Sequence, residues 1–338
     1  MSTASELHQR AVIVDGLVFF SDGNARDMLA GGVSAINLTV TDMPSDFEQA
    51  LLDVMTWRQR GQDPASPWLL VEKAEDIPRA KAAGKLGVIM GWQNARPLGD
   101  LLHRVSLFHT LGVRVIQLTY NEANLIGDGC LEKRNAGLSN LGVEMVREMN
   151  RVGIAIDLSH CVTQTCLDAA RHSSRPVLLT HANANAVIAR PRNKSDEVIK
   201  AVAGTGGVIG CSIHAYLNWR GNPKQQPLLE DFIANIKHIG KLVGYEHVGI
   251  GTDFPAVDTY EAVRHVMLMS RTKYAASGGD FSDAFGDVME ARYPVETPTP
   301  DHYPEFTRAM LQAGLTETQI LGVLGGNFQR AFAQCWSV

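Results

Sequence analysis

The chain is poor in the features that mark several large protein classes, and each shortage excludes something. Its five cysteines, Cys130, Cys161, Cys166, Cys211 and Cys335, are odd in number and contain no CxxC pair. A disulfide framework or a cysteine-ligated zinc is therefore not expected, and most of these thiols lie in or beside apolar stretches that suit buried free cysteine. No run approaches the roughly 18 apolar residues needed to span a bilayer. The opening MSTASELHQRAVIVDG has no hydrophobic signal core, so we expect a cytoplasmic protein. There is no excess of positive charge either: the formal net charge is -5 and the pI about 6.1, which argues against a nucleic-acid or anionic-membrane surface.

What is present is a regular alternation. Short runs rich in Val, Ile and Leu recur at Ala11–Asp15, Val33–Val40, Leu86–Trp92, Val113–Thr119, Gly153–Leu158, Pro176–Thr180, Gly207–Ile213 and His247–Thr252. None alternates strictly, as expected for parallel strands covered on both faces. Amphipathic helical patterns separate them, for example Asn140–Arg151 and Leu228–Leu242, with stop signals at Gly112, Gly153 and Gly204. Eight strands with intervening helices predict a single α/β domain over 1–338, a (β/α)₈ TIM barrel. The competing open doubly wound sheet lacks a GxGxxG after its first strand. Two stretches break the rhythm. Residues 41–75 predict a helix and then a loop near Asp63–Pro67. Residues 254–305 form a long insertion after strand eight, either a lid over the mouth or a packed decoration.

Barrel active sites sit at the C-terminal strand ends, so the polar residues there carry the functional reading. Strand five ends in Asp157-Leu158-Ser159-His160, strand six in Leu179-Thr180-His181, and strand eight in Gly251-Thr252-Asp253. One histidine at a strand end is more often structural than a ligand. Two on adjacent strands with an aspartate from a third make a plausible first shell for a divalent ion such as zinc. The other nine histidines show no such placement.

These motifs, with Arg190-Pro191-Arg192-Asn193-Lys194-Ser195-Asp196, Gly249-Ile250-Gly251-Thr252-Asp253-Phe254, Leu118-Thr119-Tyr120-Asn121 with Asn124, and Gly326-Asn327-Phe328, resemble the membrane dipeptidase family. The ordered match covers essentially the whole chain. The resemblance implies a barrel of the amidohydrolase type that hydrolyses dipeptides with two divalent metals. By the same resemblance His160 and His181 hold the second metal, and Asp253 binds the first or handles the proton of the attacking water. Arg192 pairs with the substrate's free carboxylate, although a helix-capping or Asp196-pairing role stays open; Asn121 and Asn124 fall among the substrate-binding positions. Tyr120 stands where some members have a histidine that stabilises the tetrahedral intermediate, and its hydroxyl can donate a hydrogen bond to an oxyanion, or serve as a packed rim aromatic.

The pattern fails at the first metal. The family's His-x-Asp after Asp-Gly is here Leu17-Val18-Phe19, and the bridging glutamate position holds Gln93. Asp22, a few residues on, reads as a turn residue. Two divalent ions ~3.5 Å apart repel by about 20 kcal/mol at an effective dielectric of ~20, and only Asp253 remains to offset that. The expectation is at most one divalent metal, held by His160 and His181 with weak help from Gln93. Three readings stay open: a single-metal amide hydrolase, a non-peptidase enzyme (elimination or isomerisation) on the same scaffold, and an inactive binding relative. A small substrate is the expected partner, with a homodimer as the default assembly.

Overall fold

The computed structural model describes residues 2–218, 226–258, 261 and 292–337. Eight parallel strands form the barrel: β1 (Val14–Ser21), β2 (Ala35–Thr39), β4 (Leu86–Trp92), β5 (Val113–Gln117), β6 (Ala155–Asp157), β7 (Val177–Leu178), β8 (Ile209–Cys211) and β9 (Val248–Ile250). Their hydrogen-bonded order runs β7-β6-β5-β4-β2-β1-β9-β8. A parallel bridge between Leu179 and Ile209 joins the two ends, so the sheet closes on itself. All eight expected strands are there, mostly trimmed by a residue or two at each end.

Two short strands were not expected from the sequence. β3 (Trp68–Leu70) lies along β4, within the stretch read as helix and loop. β10 (Phe254–Ala256) pairs with the outer half of β1, Val18 opposite Phe254 and Ser21 opposite Ala256. That pairing carries β1 six residues past Asp15, so Leu17 and Phe19 lie inside a strand rather than just beyond one. Asp22 does sit in a turn, where its Oδ1 accepts from the Asn24 amide at 3.0 Å. Of the insertion over 254–305, residues 254–258, 261 and 292–305 are described, and the rest of that reading falls outside the described residues.

Helix α6 (Asn140–Val152) shows why the outer layer forms. Ser139 caps it by accepting from the Gly142 amide, Gly153 ends it in the left-handed region at φ 85°, and Met145, Val146, Met149 and Val152 form its buried stripe. The helix Asp196–Gly204 is capped by Ser195 and takes in the expected stop, Gly204, as its last residue; the left-handed residue is Gly206.

Inside the barrel, Val14, Ala35, Ile89, Val115, Ala155, Leu178 and Val208 form the floor, joined by Phe328 and Phe332 from the last helix (Asn327–Trp336). Phe328 plugs the bottom: a Cβ on Gly249 or on Gly16 would meet its ring at 2.5 and 2.6 Å. One layer higher the backbone itself fills the interior. The Thr180 carbonyl is pressed against Gly16, Gly210 and Gly251, and a side chain at any of the three would collide with it. This tight middle layer fixes where β7 ends, and with it the position of His181.

Candidate functional site

His160 and His181 follow β6 and β7, whose C-terminal ends are adjacent through the Asp157–Leu178 pairing. Both rings are buried, and their Nε2 atoms lie 3.1 Å apart. His160 Nδ1 is 2.8 Å from Asn121 Oδ1, and the Tyr120 ring lies flat on the imidazole, centroid to centroid 4.3 Å. His181 Nδ1 is 2.9 Å from Thr180 Oγ1. Burial first, and the Arg192 guanidinium second, push both imidazoles well below the usual histidine range. They are therefore neutral at neutral pH, the form in which imidazole binds metal.

Asp157 organises this edge of the rim. Its carboxylate accepts from the Ser159 amide (2.9 Å) and hydroxyl (2.6 Å) and from the Thr180 amide (3.0 Å) and hydroxyl (2.6 Å). Asp15 does the same at the opposite edge, accepting from the amides of Leu17 and Thr252 and from the Thr252 hydroxyl. Desolvation raises its carboxyl to about 7.

Arg192 is 1% exposed and donates to the backbone carbonyls of Ser159 and His181, tying together the two segments that carry the imidazoles. It does not pair with Asp196, whose partner is His238 at 2.8 Å. Lys194, also buried, donates to the Cys161 carbonyl. Asp253 is half-buried and adopts φ 61°, the left-handed region that non-glycine residues seldom occupy. Its amide donates to Leu17 O and its carbonyl accepts from Tyr293 Oη at 2.6 Å, which hold that conformation. Burial raises its carboxyl to about 6, with Arg192 and Arg292 opposing the rise.

The remaining predicted positions fall differently. Gln93 is buried and its Nε2 donates to Thr39 Oγ1 at 3.0 Å. Leu17 is buried and Phe19 half-buried, and neither offers a donor atom to a cation. Asn121 stands behind His160. Asn124 uses both amide hydrogens on Asn94 Oδ1 and Leu118 O, and accepts from the Ile126 and Gly127 amides. That satisfies its full complement of four hydrogen bonds and ties its loop to the segment that follows β4. Among the described residues no cluster of three or more His, Cys, Asp or Glu side chains is arranged to hold a metal.

The reading that no other histidine sits at the rim needs correcting. His214 lies three residues after Cys211, the end of β8; it is buried, and burial and then Arg292 push it down to about 3. Its Nδ1 accepts from the Tyr216 amide, and its ring meets the edge of Tyr293 at 5.7 Å. The signal was in the sequence, since the expected strand seven ended at Ile213. Arg292 carried no such signal, because it comes from the long segment after β9 and reaches the site only through tertiary packing.

A profile of the membrane dipeptidase family, peptidase family M19, matches residues 24–270. The chain is 28% identical over 268 residues to a dipeptidase of Claviceps purpurea, covering 78% of this chain and 55% of that one. It is 32% identical over 196 residues to an uncharacterized dipeptidase of Schizosaccharomyces pombe, covering 55% of this chain and 46% of the relative. The chain thus spans about half the length of the curated relatives it matches. Among solved structures, an amidohydrolase from Pseudomonas aeruginosa is 30% identical with TM-score 0.86, each chain covered completely. A Rhodobacter sphaeroides metallopeptidase bound to a phosphinate mimic of L-Ala-D-Ala has the same fold, with TM-score 0.77, 19% identity, and 96% of this chain and 99% of that chain covered.

Proposed function

The chain belongs to the membrane dipeptidase family, and from that premise we propose that it is a metal-dependent hydrolase. It cleaves an amide bond in a dipeptide or a similar small substrate, with one divalent ion, zinc by preference, between His160 and His181. The observation that carries this reading is the pair of neutral imidazoles whose Nε2 atoms face each other at 3.1 Å. Two nitrogen ligands at Zn–N distances of about 2.0–2.1 Å and near-tetrahedral angles lie about 3.3 Å apart. Two imidazole nitrogens at this spacing suit one ion, whose remaining ligands come from water or substrate. The donor set does not fit a second, because Leu17 and Phe19 offer no donor atom and Gln93 is neutral and engaged with Thr39.

A bound divalent ion supplies Lewis acidity toward a carbonyl oxygen and toward water. The protein's own groups do the rest. Asp253, with its carboxyl near 6, is ionised at neutral pH and basic enough to take a proton from attacking water and return it to the leaving amine. Burial pushes the Tyr120 hydroxyl upward, so it stays protonated and able to donate to a developing oxyanion. Arg192 has five N–H groups and gives two directions to backbone carbonyls, leaving others to meet a substrate carboxylate. A cytoplasmic location and a homodimer complete the reading.

The test is elemental analysis of protein purified without chelator, together with hydrolysis of dipeptides carrying either hand at the C-terminal residue. One metal per chain with turnover is the expected result. Two tightly held ions per chain overturn the one-metal assignment, and metal without turnover on any dipeptide overturns the substrate.

A further inference from the structure

The two facing imidazoles are wired to different kinds of partner, and the difference has a chemical consequence. Behind His181 stands a hydroxyl whose own hydrogen is committed. Thr180 Oγ1 lies 2.6 Å from Asp157 Oδ2, and Asp157 already collects the Thr180 amide and both donors of Ser159. If Thr180 turned its hydrogen toward His181, two lone-pair oxygens would be left facing each other at that distance. Thr180 Oγ1 can therefore only accept from His181 Nδ1, and His181 must keep Nε2 bare.

Behind His160 stands an amide. Asn121 Oδ1 lies 2.8 Å from Nδ1, and its other neighbour of note is the Cys130 thiol at 3.5 Å, a weak donor. A half-turn of that amide exchanges an acceptor for a donor with little change in shape. Asn121 can thus satisfy either tautomer of His160, whereas the Asp157–Thr180 pair satisfies only one of His181. Two bare Nε2 atoms 3.1 Å apart repel unless a cation lies between them, and the softer partner is the one that gives way.

We propose that Asn121 is a positioning residue that switches the tautomer of His160 on metal uptake, while Asp157 and Thr180 hold His181 permanently ready to ligate. Without metal, His160 carries its hydrogen on Nε2 and donates it to His181 Nε2, and Asn121 turns its NH₂ toward His160 Nδ1. With a divalent ion bound, the His160 hydrogen resides on Nδ1 and is donated to the Asn121 oxygen. One proton leaves Nε2 for solvent and one arrives at Nδ1, so the exchange releases no net proton. This inference rests on the proposed role of the two histidines as the metal's ligands.

The experiment is two-bond ¹H–¹⁵N correlation of the imidazoles in the full ¹⁵N-histidine-labelled chain, chelator-treated and then titrated with zinc. Metal-free protein should show His181 protonated on Nδ1 and His160 on Nε2, and zinc should bring both to Nδ1–H. Asn121→Asp, whose carboxylate can only accept, should put a hydrogen on His160 Nδ1 even without metal while Nε2 keeps its own, the imidazolium pattern in the same spectra. Asn121→Ala should weaken zinc by about 10- to 100-fold while leaving the His181 tautomer unchanged. His181 found as Nε2–H, or His160 found as Nδ1–H before zinc is added, overturns the switch. If the metal-free tautomers are as described but zinc perturbs neither ring, the wiring stands, and both the metal assignment and the switch on uptake fail.

Discussion

The rim of this barrel has an equipped half and a stripped half. At the ends of β6 and β7, two imidazoles converge on one point, each with a polar partner behind it and an arginine tying their backbones together. Within the outer half of β1 and just past the end of β4, the corresponding places hold Leu17, Phe19 and Gln93. Yet both halves are built on the same device, a buried aspartate accepting amides and a threonine hydroxyl: Asp157 on one side, Asp15 on the other. The scaffold is alike on both sides, while side chains able to ligate a metal stand on one. The residues that shape the rim are thus separable from those that bind at it.

The comparison breaks most completely at the equipped half. His181→Ala should take metal from one ion per chain to none, measured by elemental analysis, and abolish hydrolysis with it; a variant that keeps its metal would place the ion elsewhere. Next in size is Asp253→Asn, expected to lower kcat by about 10²- to 10⁴-fold with metal content unchanged. In the proposed mechanism the ionised form of Asp253 is the base. The carboxyl stands near 6, so kcat/KM should rise about tenfold per pH unit below 6 and level off above it. A flat profile between pH 5 and 7 would remove Asp253 from proton transfer.

Rebuilding the stripped half sharpens the contrast. Leu17→His, Phe19→Asp and Gln93→Glu together should raise metal content toward two ions per chain. Each single change should add none, because a lone buried carboxylate is desolvated without a counter-ion. Thermal unfolding with and without zinc separates failure to bind from failure to fold. If the folded triple variant gains no metal, the strand-end alignment is wrong.

The smallest effect concerns Asp15 and stability. Its folded value, raised to about 7 from 3.8, means that the folded state binds this proton more tightly than the unfolded chain does. The resulting stabilisation is fully present below about pH 4 and is lost as pH rises through 7, amounting to a few kcal/mol at most. Asp15→Asn should flatten that dependence in urea melts across the same range. An unchanged slope would show that another group carries it.

The equipped half was also the legible half. His160, His181 and Asp253 each terminate an apolar run, so a linear reading of strand ends finds them. The closed barrel followed from the count and spacing of those runs. What stayed hidden depends on contacts between distant segments. β10 reaches β1 across more than two hundred residues and lengthens that strand, which no local pattern announces. Asn124 falls among the binding positions by resemblance alone; that its side chain takes four hydrogen bonds, from Asn94, Leu118, Ile126 and Gly127, depends on loop geometry a sequence does not display. His214 is legible in principle, since it directly follows an apolar run, and its place at the rim is seen in the fold.

The Phe328 plug has a consequence in time. A ribosome delivers β1 to β9 first, and each can pair with its neighbours as it appears. The barrel floor, however, lacks its central ring until residue 328 has been made, and the glycines facing it cannot fill the gap themselves. Until then the nascent barrel carries a hole the size of a phenyl group, a defect of about 3–5 kcal/mol by the usual Phe→Ala scale. The expected outcome is late closure: chains truncated before residue 327 should lack the near-UV signal of a packed barrel, and a truncated chain that shows it would refute this order.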